Sequence, residues 1–183
     1  SPYTLSLHDA LPICDVDEYM QAIEVLLPKV VLLRPRIAAA AEAEDAEVFK
    51  GVTRLFAEAG EAWCLLIARQ PEHFRILVES ILECAARDTD KDAIGLTFRF
   101  WYELKQYLVL EKYIQARMQC VDVYSKLVDI LIKQLEFPTP DDPNSLDLFD
   151  GDREQEEKFR EFRHVMGDCL KDCCEVKIGR AHV

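Results

Sequence analysis

Residues 97–108 read TFRFWYELKQYL, and after a short break residues 113–135 read YIQARMQCVDVYSKLVDILIKQL. Across the first segment Ile94, Phe98, Trp101, Leu104 and Leu108 recur at steps of three or four, which lays them along one side of an α-helix. In the second segment Val121, Tyr124, Val128, Leu131 and Leu135 do the same. Two such stripes joined by a few polar residues predict a helical hairpin whose apolar faces meet. The first helix also carries Phe100, Tyr102 and Tyr107, so aromatic side chains leave it on more than one face. A helix of that kind is covered from several sides, as inside a stack. The sharper alternative, an aromatic box that stacks a ligand, needs more than helical spacing to support it.

The same period runs outward from this hairpin. Upstream, Phe49, Val52, Phe56, Ala59, Trp63 and Leu66 mark a helix over 46–69, and Phe74, Leu77, Ile81 and Ala85 mark one over 72–86. Pro71 separates the two, because the residue before a proline leaves the helical region. A longer helix over 15–41 carries Ile23, Leu27, Val30 and Leu33, with a kink or break expected at Pro28 and Pro35. Asp88–Thr89–Asp90 supplies a turn and a cap for the next helix, over 90–110. Downstream of the helix over 113–135, residues 136–151 hold three prolines and a glycine and read as a loop. A final helix over 152–176 follows, with Phe159, Phe162, Met166 and Cys173 on one side. The expected core is Phe98, Trp101, Leu104, Tyr124, Leu131, Phe159 and Phe162. Hairpins repeating at roughly forty residues give the fold class: all-α, an α-α superhelix of HEAT-type hairpins, taken from a longer array.

The two ends read differently. Tyr3–Ile13 and Ile178–Val183 match a reading of sequencing-library adapter DNA translated as protein, so residues 1–13 and 178–183 are expected to be artefacts of conceptual translation, excluded from fold reasoning as a tag would be. The central segment is then 14–177, with true ends not visible. Removing the ends leaves the net charge at -12, because Asp9 and Arg180 cancel.

That charge disfavours direct contact with nucleic acid or an anionic membrane and suits a basic partner. Between Glu136 and Glu157 nine acidic residues face one basic residue, Arg153. Asp141, Asp142, Asp147, Asp150 and Asp152 are therefore the candidate partner-binding residues, as a docking surface for a basic protein; the bland reading is a solvated linker. No glycine-rich phosphate loop, GxSxG, HExxH or EF-hand pattern occurs. His73 and His164 each stand alone on a helix. Of seven cysteines, Cys14 lies at the adapter junction and the rest sit on or beside apolar stripes, where free cysteine acts as a small hydrophobe. Cys169 and Cys173 are one helical turn apart, but no second ligand pair accompanies them. No catalytic site, metal or cofactor is expected.

Four blocks carry a family resemblance: LLPKVVLLRPRI (26–37), VTRLFAEAGEAW (52–63), TFRFWYELKQYL (97–108) and DLFDGDREQEEKFREFRHVMGDCLKDCCEV (147–176). In them the chain resembles the middle of a nuclear import receptor of the importin-β superfamily (a karyopherin), in the transportin-SR branch and its fungal-type counterparts. The resemblance implies a receptor that shuttles between cytoplasm and nucleus. It would take up Arg/Ser-rich RNA-binding proteins, pass the pore by weak contacts with Phe-Gly nucleoporins, and release cargo to Ran-GTP. The Arg-rich helix that reads phosphorylated cargo lies later in such receptors, and no Arg-rich run occurs here. Other classes remain: a HEAT scaffold or regulatory subunit outside nuclear transport, or an enzyme whose helical-bundle site would need a metal or cofactor.

Overall fold

A computed structural model describes residues 15–89, 91–136, 149 and 151–179, with side chains from Tyr19 onward. The described residues form eight α-helices and two short 3-10 helices: α1 (Asp15–Val31), α2 (Pro35–Glu42), α3 (Ala46–Ala62), α4 (Cys64–Arg69), α5 (Arg75–Arg87), a 3-10 turn (Ile94–Thr97), α6 (Phe98–Leu108), a second 3-10 turn (Glu111–Tyr113), α7 (Ile114–Gln134) and α8 (Arg153–Ile178). They stack in two layers. One holds α3 with α4, then α6, then α8; the other holds α1, α5 and α7, with α2 bridging α3 and α5. This is the expected array of helical hairpins.

Three of the expected helices are broken. The stretch 15–41 divides at Leu32–Arg34, because Pro35 has no N–H to continue a ladder and is preset for the first position of a helix, where it opens α2. Pro28 stays within α1. The stretch 46–69 bends at Trp63, whose φ and ψ of -107° and 13° leave the helical region. Three residues earlier, Gly60 lets the layers close up: a Cβ there would lie 2.6 Å from Ile81 Cδ1 and 2.7 Å from Phe100 Cδ2. The stretch 90–110 starts late. Buried Asp88 accepts the Ile94 N–H at 2.6 Å, which begins a 3-10 turn, and α6 follows at Phe98. The α5 helix starts at Arg75, α7 spans 114–134, and α8 runs through Ile178 to Gly179, across the expected boundary at 177.

Trp101 and Tyr124 centre the core. Both are fully buried, with ring centroids 5.6 Å apart at 75°. The Tyr124 hydroxyl donates to the Trp101 carbonyl at 2.8 Å, and the Trp101 indole N–H donates to Thr97 Oγ1 at 3.1 Å. Neither large ring therefore buries an unsatisfied polar atom, whose cost would offset about 1–3 kcal/mol of the burial gain. Leu104 and Leu131 are fully buried beside them, and Phe159 lies at the edge of the core. Phe98 and Phe162 are only partly buried, which corrects their expected place. Phe100 is the α6 phenylalanine at the centre, because α6 packs against α3 and α4 on one side and α8 on the other, which widens its apolar face beyond one stripe. In α7 the buried set is Ala116, Cys120, Val123, Tyr124, Leu127 and Leu131, with Val121, Val128 and Leu135 flanking it.

Candidate partner-binding surfaces

The turns from the second layer to the first share one rim, and that rim is acidic for a local reason. Helix starts leave backbone N–H groups unpaired, and short acidic side chains satisfy them. Asp45 caps α3 by accepting the Val48 N–H at 3.1 Å, with Glu47 in the first turn. Asp88 serves the turn before α6. Asp152 Oδ1 caps α8, accepting the N–H groups of Glu154 and Gln155, each at 3.1 Å. Lys50 on α3 reaches Asp92 at 3.2 Å, and Lys91 sits over the Phe159 ring at 4.6 Å. These contacts tie the three turns into one edge. Burial holds the Lys91 ammonium below its ordinary pKa. Glu44 and Lys91 both have positive φ, 55° and 62°, which non-glycine residues adopt at a cost of roughly 1 kcal/mol or more.

Of the sequence-predicted site, Asp152 is a helix cap. Asp141, Asp142, Asp147 and Asp150 lie outside the described residues. Phe149, from the same loop, packs on Phe159 at 5.6 Å between centroids, and Phe159 continues to Phe162 at 6.5 Å.

Two charged arrangements were not legible beforehand. Across the outer side of the second layer, Arg34 reaches Glu83 at 2.9 Å and Glu79 at 3.7 Å. Arg75 reaches Glu79 at 2.9 Å, the Gln119 carbonyl at 2.7 Å and Asp122 Oδ1 at 3.1 Å. The hydrogen bond from Arg75 holds the Asp122 carboxyl below its ordinary range, and Asp122 raises Arg75 in return. This ladder joins the α1–α2 junction, α5 and α7, and with Arg87, 3.0 Å from Glu83, its three cations match its three carboxylates. In the first layer, Lys105 on α6 is 5% exposed. Its Nζ lies 3.0 Å from Asp172 and 3.3 Å from Glu175 on α8, and 4.9 Å from the Tyr102 ring centroid. Burial disfavours the ammonium, but the hydrogen bond and charge of Asp172, then Glu175, outweigh it and raise the Lys105 pKa. Burial, reinforced by Glu175 and Asp168, also pushes Asp172 up despite the lysine.

Elsewhere on the first layer, burial raises the Glu61 carboxyl; Arg99 opposes this, while Glu103 and Glu58 add to it. Cys64, Cys84, Cys120, Cys169 and Cys173 are buried free thiols. Burial pushes Cys84 up to about 12 and Cys120 to about 11, so both stay protonated and serve as packing. Among the described residues no group of three or more His, Cys, Asp or Glu side chains could hold a metal ion. None of the described helices is long and apolar enough to cross a membrane.

Comparison with known proteins places this geometry in context. A family model described as the transportin-3/importin-13 second TPR domain matches residues 44–134. The chain is 45% identical over 168 residues to an uncharacterized protein of Schizosaccharomyces pombe, covering 88% of this chain and 17% of that one. It is 38% identical over 132 residues to the mRNA transport regulator MTR10 of Saccharomyces cerevisiae, covering 72% and 13%. It is 29% identical over 166 residues to human importin-13, covering 85% and 17%. The chain thus spans 17% or less of the length of these curated relatives. No solved structure matches.

Proposed function

Because this chain belongs to the importin-β superfamily of nuclear transport receptors, in the transportin-3/importin-13 branch, we propose that it forms a central stretch of a receptor importing Arg/Ser-rich RNA-binding proteins. Cargo leaves when Ran-GTP binds, and weak contacts with Phe-Gly nucleoporins carry the complex between cytoplasm and nucleus. The stretch has no catalytic role, needs no cofactor, and makes no direct contact with nucleic acid or membrane.

The observation that carries this reading is the acidic rim. Capping places exposed Asp45 and Asp152 at the first and third of three successive turns on one edge, with buried Asp88 spent inside the second, and in sequence Asp141, Asp142, Asp147 and Asp150 lead into the third. A row of carboxylates suits a basic partner, such as an Arg/Ser-rich segment or a basic face of Ran, and raises its association rate. A stack of hairpins joined through side-chain contacts can also flex enough for two partners to exclude each other.

The test neutralises the loop in the full-length protein with D141N, D142N, D147N and D150N, leaving the Asp152 cap in place. Binding of Ran-GTP or of an Arg/Ser-rich peptide should weaken by about tenfold, mostly through a slower association rate that converges with the parent at high salt. Unchanged binding of both ligands would remove the loop from the site.

A further inference from the structure

The opposite rim is not acidic: Arg69 and Lys112 there balance Glu72 and Glu111. There the first layer returns to the second through residues 70–74 and 109–113, and between these turns lies a cleft of about 530 Å³. Arg69 and His73 line one wall; Lys112, Tyr113 and Gln115 line the other. The one carboxylate in the lining, Glu72, already accepts a hydrogen bond from Gln119 Nε2 at 3.1 Å, which closes the floor. Arg75 fixes that floor from beneath by donating to the Gln119 carbonyl at 2.7 Å.

Several cations of this acidic chain form ion pairs, among them Arg34, Lys50, Arg75, Arg87, Arg99 and Lys105, while exposed ones outside the cleft such as Arg36 and Arg54 form none among the described residues. Arg69 and Lys112 form none among the described residues; Lys112 has only the neighbouring Tyr113 ring, 5.0 Å from its Nζ. The helix starts differ in the same sense. On the acidic rim α3 and α8 have carboxylate caps and acidic first turns. On this rim α5 and α7 have neither a side-chain cap nor an acidic residue in the first turn.

We propose that this cleft docks an acidic peptide segment of a partner protein, with Arg69 and Lys112 receiving its carboxylates and Tyr113 and Pro71 its aliphatic stems. The cleft volume suits a few side chains, within the roughly 300–1,000 Å³ of ordinary ligand sites. Its unpaired cations complement an anion, and Gln115 on the wall offers an amide to backbone groups. Such a segment would bind on the edge away from the acidic rim, so a basic and an acidic partner could be held at once. The inference does not depend on the transport reading and would hold for a scaffold.

The experiment titrates the full-length protein into a fluorescein-labelled octaglutamate peptide and follows anisotropy at low salt. The variant R69E/K112E should weaken binding by about tenfold or more, as expected for two charge contacts turned repulsive. The variant R36E/R54E makes the same change in net charge at exposed positions outside the cleft and should change affinity by less than about twofold. R69Q/K112Q, which adds no new charge, should fall between them. Equal weakening by the two charge-reversed variants, or binding that does not saturate, would overturn the site. Displacement of the peptide by inorganic phosphate at constant ionic strength would assign the cleft to a small anion and overturn the peptide reading.

Discussion

Replacing Lys105 with alanine removes the only side chain that ties α6 to α8 by charge among the described residues. Lys105 is 5% exposed, and its partners differ: the Asp172 side chain is 15% exposed and Glu175 is 41%. Breaking a fully buried pair costs about 3–5 kcal/mol, because the remaining carboxylate is left unpaired. Here Glu175 can turn to solvent and Asp172 is itself partly exposed, so about half that cost remains. Loss of the cation over Tyr102 adds about 0.5 kcal/mol. The sum is roughly 2–3 kcal/mol at the α6–α8 joint, or on the order of 30- to 100-fold faster hydrogen exchange for amides across 166–176 in the full-length protein, if local opening governs exchange. Amides of α5 should be much less affected. The paired replacement K105M/D172L removes both charges and should stay within about 1 kcal/mol of the parent. Exchange in K105A within about threefold of the parent would refute the argument that this pair holds the joint.

Gly60→Ala should destabilise by about 1–3 kcal/mol despite the better helix propensity of alanine, since its Cβ would meet Ile81 at 2.6 Å; a higher thermal midpoint would contradict the close packing of α3 on α5 and α6. Asp122 has a folded pKa below its ordinary value of 3.8, so the native state binds fewer protons there than the unfolded chain. Its tie to Arg75 contributes fully above about pH 3.8 and is lost as pH falls through the lowered value, so the stability gap between parent and D122N should close on acidification; a gap independent of pH would count against it. Apolar side chains stand exposed on both end faces of the stack, Val25 at 60% and Leu32 at 77% on one, Met118 at 65% and Ile132 at 53% on the other. Residues 14–177 expressed alone should therefore self-associate, and a monodisperse monomer with one sharp unfolding transition would contradict this.

The hairpins were legible because their signal is local. Trp101, Leu104 and Leu108 sit on one face by spacing alone, and Pro35 and Pro71 mark where the backbone cannot continue. The phase of the α7 stripe was not, since Val121 and Val123 look alike in sequence and only the neighbouring helices decide which is covered. The late start of α6 depends on Asp88 reaching Ile94, and the close approach of Gly60 to Ile81 and Phe100 depends on how the layers pack, which spacing does not encode. The charged ladder and the Lys105 contacts were invisible for a plainer reason. Arg34 and Glu83 are 49 positions apart, and Lys105 and Glu175 are 70 apart, so nothing in either segment announces the other. The acidic character of one rim was readable residue by residue, but its opposite rim emerged only once Arg69 and Lys112 were brought to the same cleft.

The most direct test of the central claim is equilibrium binding of the full-length protein to Ran loaded with GTP or with GDP, with an Arg/Ser-rich peptide present as competitor. The account predicts at least about tenfold tighter binding to Ran-GTP and reciprocal loss of the peptide, as coupling between the two sites requires. Equal affinity for the two nucleotide states, with the peptide undisturbed, would contradict it.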